Sequence, residues 1–147
     1  MYNRSNTYQE IAVQTSSPSK LVVMLYEGAI RFLRQSVTAI QTKDLDTKRQ
    51  SIDRAVAVVQ HLQGTLDMEK GKQVAADLDR LYSYITTRVV EGSGKLQVAP
   101  IEEAIKLLTV LLSGWEEVAK KEQEPEHAVP MTLLAQQAAG GRFDMHV

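Results

Sequence analysis

The residue types that most often do chemistry in proteins are scarce in this chain. Cysteine is absent from its 147 residues, which excludes disulfides, thiolate metal ligands and cysteine nucleophiles. The chain has three histidines, and none is placed beside a serine or threonine in a way that would activate a nucleophile. We therefore predict that the protein is not an enzyme.

A metal site has one superficial candidate. Di-iron sites in helical bundles take a glutamate from two helices and a Glu-x-x-His pair from each of two others. Glu124 to His127 has that spacing, but the pair occurs once and has Pro125 inside it. His61 projects away from the apolar stripe of its segment and reads as a solvated side chain. We predict no metal and no cofactor.

The segment EGSGK, from Glu91 to Lys95, ends like a phosphate-binding loop. That motif needs a glycine five positions before Gly94 and a serine or threonine after the lysine. The chain has Val89 and Leu96 at those two positions, and no strand is predicted before them. The segment is therefore interpreted as a flexible loop between two helices rather than as a nucleotide site.

Charge and hydropathy exclude two further classes of partner. The formal net charge is −1, and lysines and arginines are scattered rather than gathered with aromatic residues, which disfavours nucleic-acid binding. No apolar run approaches the ~20 residues that a membrane-spanning helix needs. The first ten residues have no apolar segment typical of a secretory signal. A cytoplasmic protein without membrane insertion is expected.

Apolar periodicity predicts an all-α protein. Four helices of about 20 residues joined by short loops favour an antiparallel up-down-up-down four-helix bundle. The predicted helices span residues 18–41, 45–68, 73–91 and 100–122. Residues 1–17 are expected to form an N-terminal arm, because they have isolated apolar residues and no core of their own. Residues 123–147 are expected to be a flexible tail with a short helix over 131–138.

The first helix is more apolar than one core-facing stripe requires. It begins at Ser17-Pro18, a cap followed by a proline of the first turn, and Leu21 to Tyr26 is an unbroken apolar run. Its apolar residues cover roughly 220°, about twice the ~100° of an ordinary stripe. Either this helix lies deepest in the bundle with the arm across it, or it presents a partner surface.

The residues proposed for partner binding come from four regions. Tyr82 is expected in the bundle core with its hydroxyl reaching the rim, and Trp115 is expected to anchor the core, with a binding contact as its alternative. Tyr84 lies off the stripe of its helix. A rival interpretation is that the surplus apolar face forms a homodimer. The candidates are Tyr8, Ile11 and Val13 of the arm; Val22, Val23, Met24 and Tyr26 of the first helix; and Tyr82, Tyr84 and Trp115.

Three blocks of the sequence resemble one family. TYQEIAVQTSSPSKLVVMLYEGAIRFL, LDMEKGKQVAADLDRLYSYITTRV and LLSGWEEV are similar to the signature segments of the flagellar secretion chaperones of the FliS family. The likeness covers about residues 3–122. Five positions depart from the family's usual pattern: Lys72 for a glycine, Ser83 for an aspartate, Gly92-Ser93 for Ala-Asn, and Leu112 for an arginine.

The resemblance implies a function and partners. Members of the family bind the disordered C-terminal segment of flagellin in the cytoplasm, prevent its premature polymerisation and deliver it to the flagellar type III export gate. The resemblance also implies that the tyrosine-bearing arm engages the gate, and it leaves room for an anti-sigma factor or another flagellin-regulating partner. Met24 would line an adaptable groove, since its thioether side chain is flexible.

Overall fold

The structure is a computed structural model and describes residues 18–122. These residues form four α-helices and no strand. The helices are α1 (Pro18–Gln41), α2 (Leu45–Gly64), α3 (Met68–Lys95) and α4 (Val98–Glu122). The predicted all-α fold class is confirmed. The arm over residues 1–17 and the tail over 123–147, with its short helix, lie outside the described residues.

Hydrogen bonds between helices give their relative directions. Lys48 Nζ, near the start of α2, donates to the carbonyl of Ser93 near the end of α3 at 3.2 Å. Gln63 Nε2, at the other end of α2, donates to Asp79 Oδ1 in the first half of α3 at 2.9 Å. The Ser19 hydroxyl in the first turn of α1 donates to Glu122 in the last turn of α4. Neighbouring helices are therefore antiparallel.

The wide apolar arc of α1 contacts all three of the other helices. α1 packs most extensively against α2 and α4. Its Tyr26 reaches α3, where it meets Tyr82 in the interior. Val22 and Tyr26 are completely buried and belong to the core, as expected if α1 lies deepest in the bundle. α1 needs an apolar arc wider than one stripe because three other helices surround its inner side.

The boundary between α2 and α3 differs from the predicted one. α2 ends at Gly64 rather than at residue 68, with Thr65 as its C-cap. α3 begins at Met68 rather than at 73, because the side chain of Asp67 accepts a hydrogen bond from the Lys70 amide at 3.0 Å and caps the helix. Residues 69–72, which the sequence predicts to separate the two helices, lie inside α3 and contain a kink at Lys72 (φ 48°, ψ −120°).

The interpretation of EGSGK as a flexible loop is wrong. These residues form the last turns of α3, which ends with Leu96 in the left-handed region (φ 55°, ψ 41°). A Cβ on Gly92 would lie 2.8 Å from both the Gln97 carbonyl oxygen and Ile101 Cγ1. Glycine at 92 therefore permits the end of α3 and the start of α4 to approach closely. α4 begins two residues earlier than predicted, at Val98.

None of α1 to α4 combines the length and the apolarity that a membrane span requires.

Candidate partner-binding surfaces

A groove of about 470 Å³ lies between α1 and α4. Ile30, which is buried, and Leu112, which is half-buried, are its apolar residues. Charged and polar side chains complete the lining: Glu27, Arg31 and Arg34 of α1 and Thr109 of α4. The volume is in the range of clefts that bind small ligands or a few side chains, ~300–1,000 Å³. This groove is a candidate site for part of a partner chain.

The opposite side of α4 carries a polar network with α3. The Tyr84 hydroxyl donates to Glu103 Oε2 at 2.7 Å, and Arg88 Nε donates to Glu103 Oε1 at 2.6 Å. Arg88 also donates to Glu91 at 2.8 Å. The Tyr84 hydroxyl and the Arg88 guanidinium lower the pKa of Glu103, and the bond to Glu103 raises the pKa of Tyr84. Tyr84 is thus held in place by its hydroxyl while its ring remains accessible.

Four of the predicted site residues lie in the core. Val22, Tyr26, Tyr82 and Trp115 are at most 3% exposed and belong to the single large apolar cluster of the described residues. The expectation that Tyr82 and Trp115 fit a core is confirmed, but the Tyr82 hydroxyl meets Tyr26 in the interior rather than reaching the rim. A partner on the outside of the bundle would not contact these four residues directly. They could affect its binding only through the packing of their neighbours.

Three predicted residues are accessible to a partner. Val23 is half-buried on α1, Met24 is 37% exposed, and Tyr84 is 45% exposed on α3. The structure does not bring these three together, since Tyr84 lies on the α3–α4 side whereas Val23 and Met24 are on α1. The remaining predicted residues, Tyr8, Ile11 and Val13, lie outside residues 18–122.

The exposed large apolar residues are spread over the bundle. Val110, at 66%, is the most exposed, and it lies in α4. The others occupy every helix and one connection: Met24 in α1, Leu45 in α2, Met68, Tyr84 and Val90 in α3, and Leu96 between α3 and α4. Scattered single apolar residues are ordinary on a protein surface, so no single contiguous apolar patch identifies the site.

Sequence reasoning missed the α1–α4 groove. Its signal was present in the spacing of Glu27, Arg31 and Arg34, which lie four and three residues apart and so on one side of a helix, flanking Ile30. Leu112 was noted only as a departure from the family pattern. Which helix faces this side of α1 could not be read from the spacing, because that depends on the bundle's packing.

Within residues 18–122, no group of three or more His, Cys, Asp or Glu side chains is arranged to hold a metal ion. The one buried side-chain oxygen of the described part without a hydrogen-bond partner is Thr86 Oγ1. The candidate surfaces therefore offer apolar contacts, hydrogen bonds and charges, which are the means of binding another chain.

Comparison with known proteins identifies the family. The family described as "Flagellar protein FliS" matches residues 1–122. The chain is 33% identical over 117 residues to the flagellar secretion chaperone FliS of Campylobacter jejuni, covering 80% of this chain and 91% of the relative. It is 26% identical over 125 residues to that of Bacillus subtilis (85% and 92%) and 29% identical over 113 residues to that of Salmonella typhimurium (76% and 84%). The four-helix chain described above is a member of the FliS family of flagellar secretion chaperones.

Proposed function

We propose that the protein is a cytoplasmic export chaperone for flagellin. It binds the disordered C-terminal segment of flagellin, prevents premature polymerisation and delivers the client to the flagellar type III export gate. The observation that carries this proposal is membership of the FliS family, whose model matches residues 1–122, and the accessible surface of the bundle offers places for such a client. The α1–α4 groove lies on one side of the bundle, and Tyr84 and Val110 lie on exposed positions of α3 and α4.

A distributed apolar surface suits a long, flexible client. An amphipathic segment can place its apolar residues into one groove, cross to another helix and bind again, as in other helix-in-groove complexes. Ordering such a segment costs about 2–5 kcal/mol of the gross interaction energy, so a large interface need not be irreversible. A chaperone that must release its client at the export gate benefits from that balance.

We assign the accessible predicted residues to this interface. Val23 and Met24 on α1 and Tyr84 on α3 are proposed to contact the client directly. Tyr8, Ile11 and Val13 of the N-terminal segment are proposed to cover part of α1 in the free protein and to engage the gate once flagellin is bound. An anti-sigma factor or another flagellin-regulating protein is a proposed additional partner.

The alternative is a bundle that associates with itself and has no secretion client. A symmetric dimer requires one self-complementary patch on each subunit, whereas the exposed apolar residues of the described part are spread over four helices. Light scattering of the protein alone, and then with a peptide of the flagellin C-terminal segment, separates the two. We expect a monomer that forms a complex with the peptide; a persistent dimer that ignores the peptide favours the alternative.

Deleting residues 1–14 tests the role assigned to the N-terminal segment. Because α1 begins at Pro18, the deletion leaves all four helices complete, and helicity measured by circular dichroism should be nearly unchanged. Flagellin binding or export should change. If the truncated protein unfolds, the segment is part of the folded core and the role assigned to it is wrong.

A further inference from the structure

The α1–α4 groove contains charges that no other described residue neutralises. The five ion pairs within residues 18–122 all involve α2, α3 or the contact of α3 with α4. None of them includes Glu27, Arg31 or Arg34. Arg34 makes no hydrogen bond or ring contact within the described residues either. Exposed charges of this kind normally gain little from pairing, but they set which partner can occupy the groove.

No ion pair joins Arg31 to Glu27 among the described residues. Glu27 and Arg31 are four residues apart, in the order and spacing that favour an ion pair on a helix. The Arg31 guanidinium instead lies 5.7 Å from the centre of the Phe32 ring. Arg54 of α2 lies over the same ring at 5.9 Å. Of these two cations, Arg31 is part of the groove lining, and its contact with Phe32 is a cation–π attraction that leaves the guanidinium without an anionic partner among the described residues.

The charged residues of the groove are arranged in a definite order along α1. Glu27, Arg31 and Arg34 follow each other along α1, at rises of about 6 Å and 10 Å from Glu27. One end of the groove is therefore acidic and the other basic, with Ile30 and Leu112 between them. A phosphate group fits poorly, because Glu27 repels a dianion and half of the wall is apolar. A peptide turn with an apolar side chain and a carboxylate fits both features.

We propose that the α1–α4 groove selects an acidic amphipathic turn of the client. An apolar side chain of that turn lies on Ile30 and Leu112, and an aspartate or glutamate one turn away pairs with Arg31 and Arg34. This inference rests on the proposed function, because the occupant is taken to be the C-terminal segment of flagellin. Glu27 fixes the direction of the bound turn, since it favours a basic side chain or the amide end of a helix beside it.

The test measures binding of a fluorescent peptide of the flagellin C-terminal segment to the full chain. Arg34→Glu should weaken binding roughly fivefold to tenfold at low salt, and the loss should shrink at 1 M salt, where charges are screened beyond ~3 Å. Changing one acidic residue of the peptide to lysine should restore the affinity of Arg34→Glu while weakening binding to the unchanged protein. That reciprocal effect identifies the residue that pairs with Arg34.

Arg80→Glu is the matched control. Arg80 is an exposed arginine on α3, away from the groove, and its ion pair is with Asp77 one turn earlier on the same helix. Reversing the charge at Arg80 should change the affinity for the peptide by no more than about twofold. Circular dichroism of both variants verifies that the bundle is intact.

Several results would overturn the inference. One such result is that the peptide binds the unchanged protein while Arg34→Glu changes the affinity no more than Arg80→Glu does. In that case the groove does not bind a carboxylate of the client, although the proposed function stands. If the peptide does not bind at all, the proposed function fails and the inference fails with it. An effect of Arg34→Glu that disappears when residues 1–17 are removed makes the protein's own N-terminal segment the occupant. Competition by millimolar inorganic phosphate would instead indicate a site for small anions.

Discussion

The hydroxyl oxygens of Tyr26 and Tyr82 lie 2.6 Å apart in the centre of the bundle and join α1 to α3. The two rings are tilted by 57°, with centres 6.5 Å apart. Both side chains are almost completely buried, at 0% and 2% exposed. Each hydroxyl therefore satisfies the hydrogen-bonding need of the other in a place that water does not reach.

Replacing one tyrosine of this pair should lower the free energy of unfolding by more than the removal of one hydroxyl group alone suggests. Tyr26→Phe or Tyr82→Phe leaves the other hydroxyl buried without that partner, which costs about 1–3 kcal/mol in the free energy of unfolding. In the double variant the free energy of unfolding should fall by less than the sum of the two single losses, because neither hydroxyl of the pair is left buried without its partner. Urea unfolding followed by the fluorescence of Trp115, the only tryptophan of the chain, measures all three. Strictly additive losses would show that the two hydroxyls act independently.

The same pair predicts how stability depends on alkaline pH. Burial raises the pKa of Tyr82 to about 12, and burial together with Tyr82 raises the pKa of Tyr26 well above its ordinary value. An unfolded tyrosine ionises near pH 10. The contribution of the pair is thus complete below pH 10 and is lost as the pH rises towards 12, at about 1.4 kcal/mol per pH unit for each tyrosine.

Absorbance of tyrosinate during an alkaline titration checks this prediction. Two of the five tyrosines should ionise only as the helical signal disappears. Tyr84→Phe serves as the comparison: the bond to Glu103 raises the pKa of Tyr84 as well, but this tyrosine is exposed, so its loss should shift the unfolding transition far less than the loss of either buried tyrosine. Ionisation of all tyrosines while the bundle remains folded would contradict the prediction.

Lys72→Gly should stabilise the protein. Lys72 has φ 48° and ψ −120°, a conformation that glycine adopts readily and a residue with a Cβ does not. Relief of this strain should contribute about 1–2 kcal/mol to the free energy of unfolding. Lys106→Gly, on an exposed and regular part of α4, should instead destabilise by about 1 kcal/mol, because glycine is unfavourable within a helix. Destabilisation by both changes would mean that Lys72 is not strained.

Gly92 and Gly94 should respond oppositely to alanine. Gly92→Ala places a methyl group 2.8 Å from a backbone oxygen and from Ile101, so it should destabilise by about 2 kcal/mol through forced separation of α3 and α4. A Cβ on Gly94 meets nothing within 4 Å, so Gly94→Ala should stabilise the end of α3 by about 0.5–1 kcal/mol. Thermal unfolding of the two variants compares them directly. Equal effects would indicate that the close approach at Gly92 is relaxed in solution.

The number and kind of helices could be predicted from the sequence, because a 3.6-residue apolar period is a local property. Helix ends were harder to predict, since Gly71 and the EGSGK segment resemble stops when read locally. At Gly92 the next helix comes so close that a Cβ would meet Ile101 at 2.8 Å, an approach that no local pattern reveals. Tertiary packing overrides the preference of glycine for loops at this position.

The candidate site was less predictable than the fold. The apolar face of α1 was apparent, but Val22 and Tyr26 could be assigned to core or surface only after the positions of α2, α3 and α4 were known. Met24 lies two residues from each of them, about 200° around the same helix, and is exposed. The groove beside Ile30 depends equally on Leu112, 82 residues later in the chain. The arrangement of the helices in the bundle determines which residues meet in a groove.

The hydrogen bond between Ser19 and Glu122 has a practical consequence for anyone who modifies the protein. It brings the first turn of α1 and the last turn of α4 to one pole of the molecule. A dye or surface tether attached beside residue 18 or 122 would start from that pole. The opposite pole, formed by residues 42–44 and 96–97, would face away from an immobilised support. Linking residue 122 directly to residue 18 and opening the chain at 42–44 is correspondingly a reasonable circular permutation of the four helices.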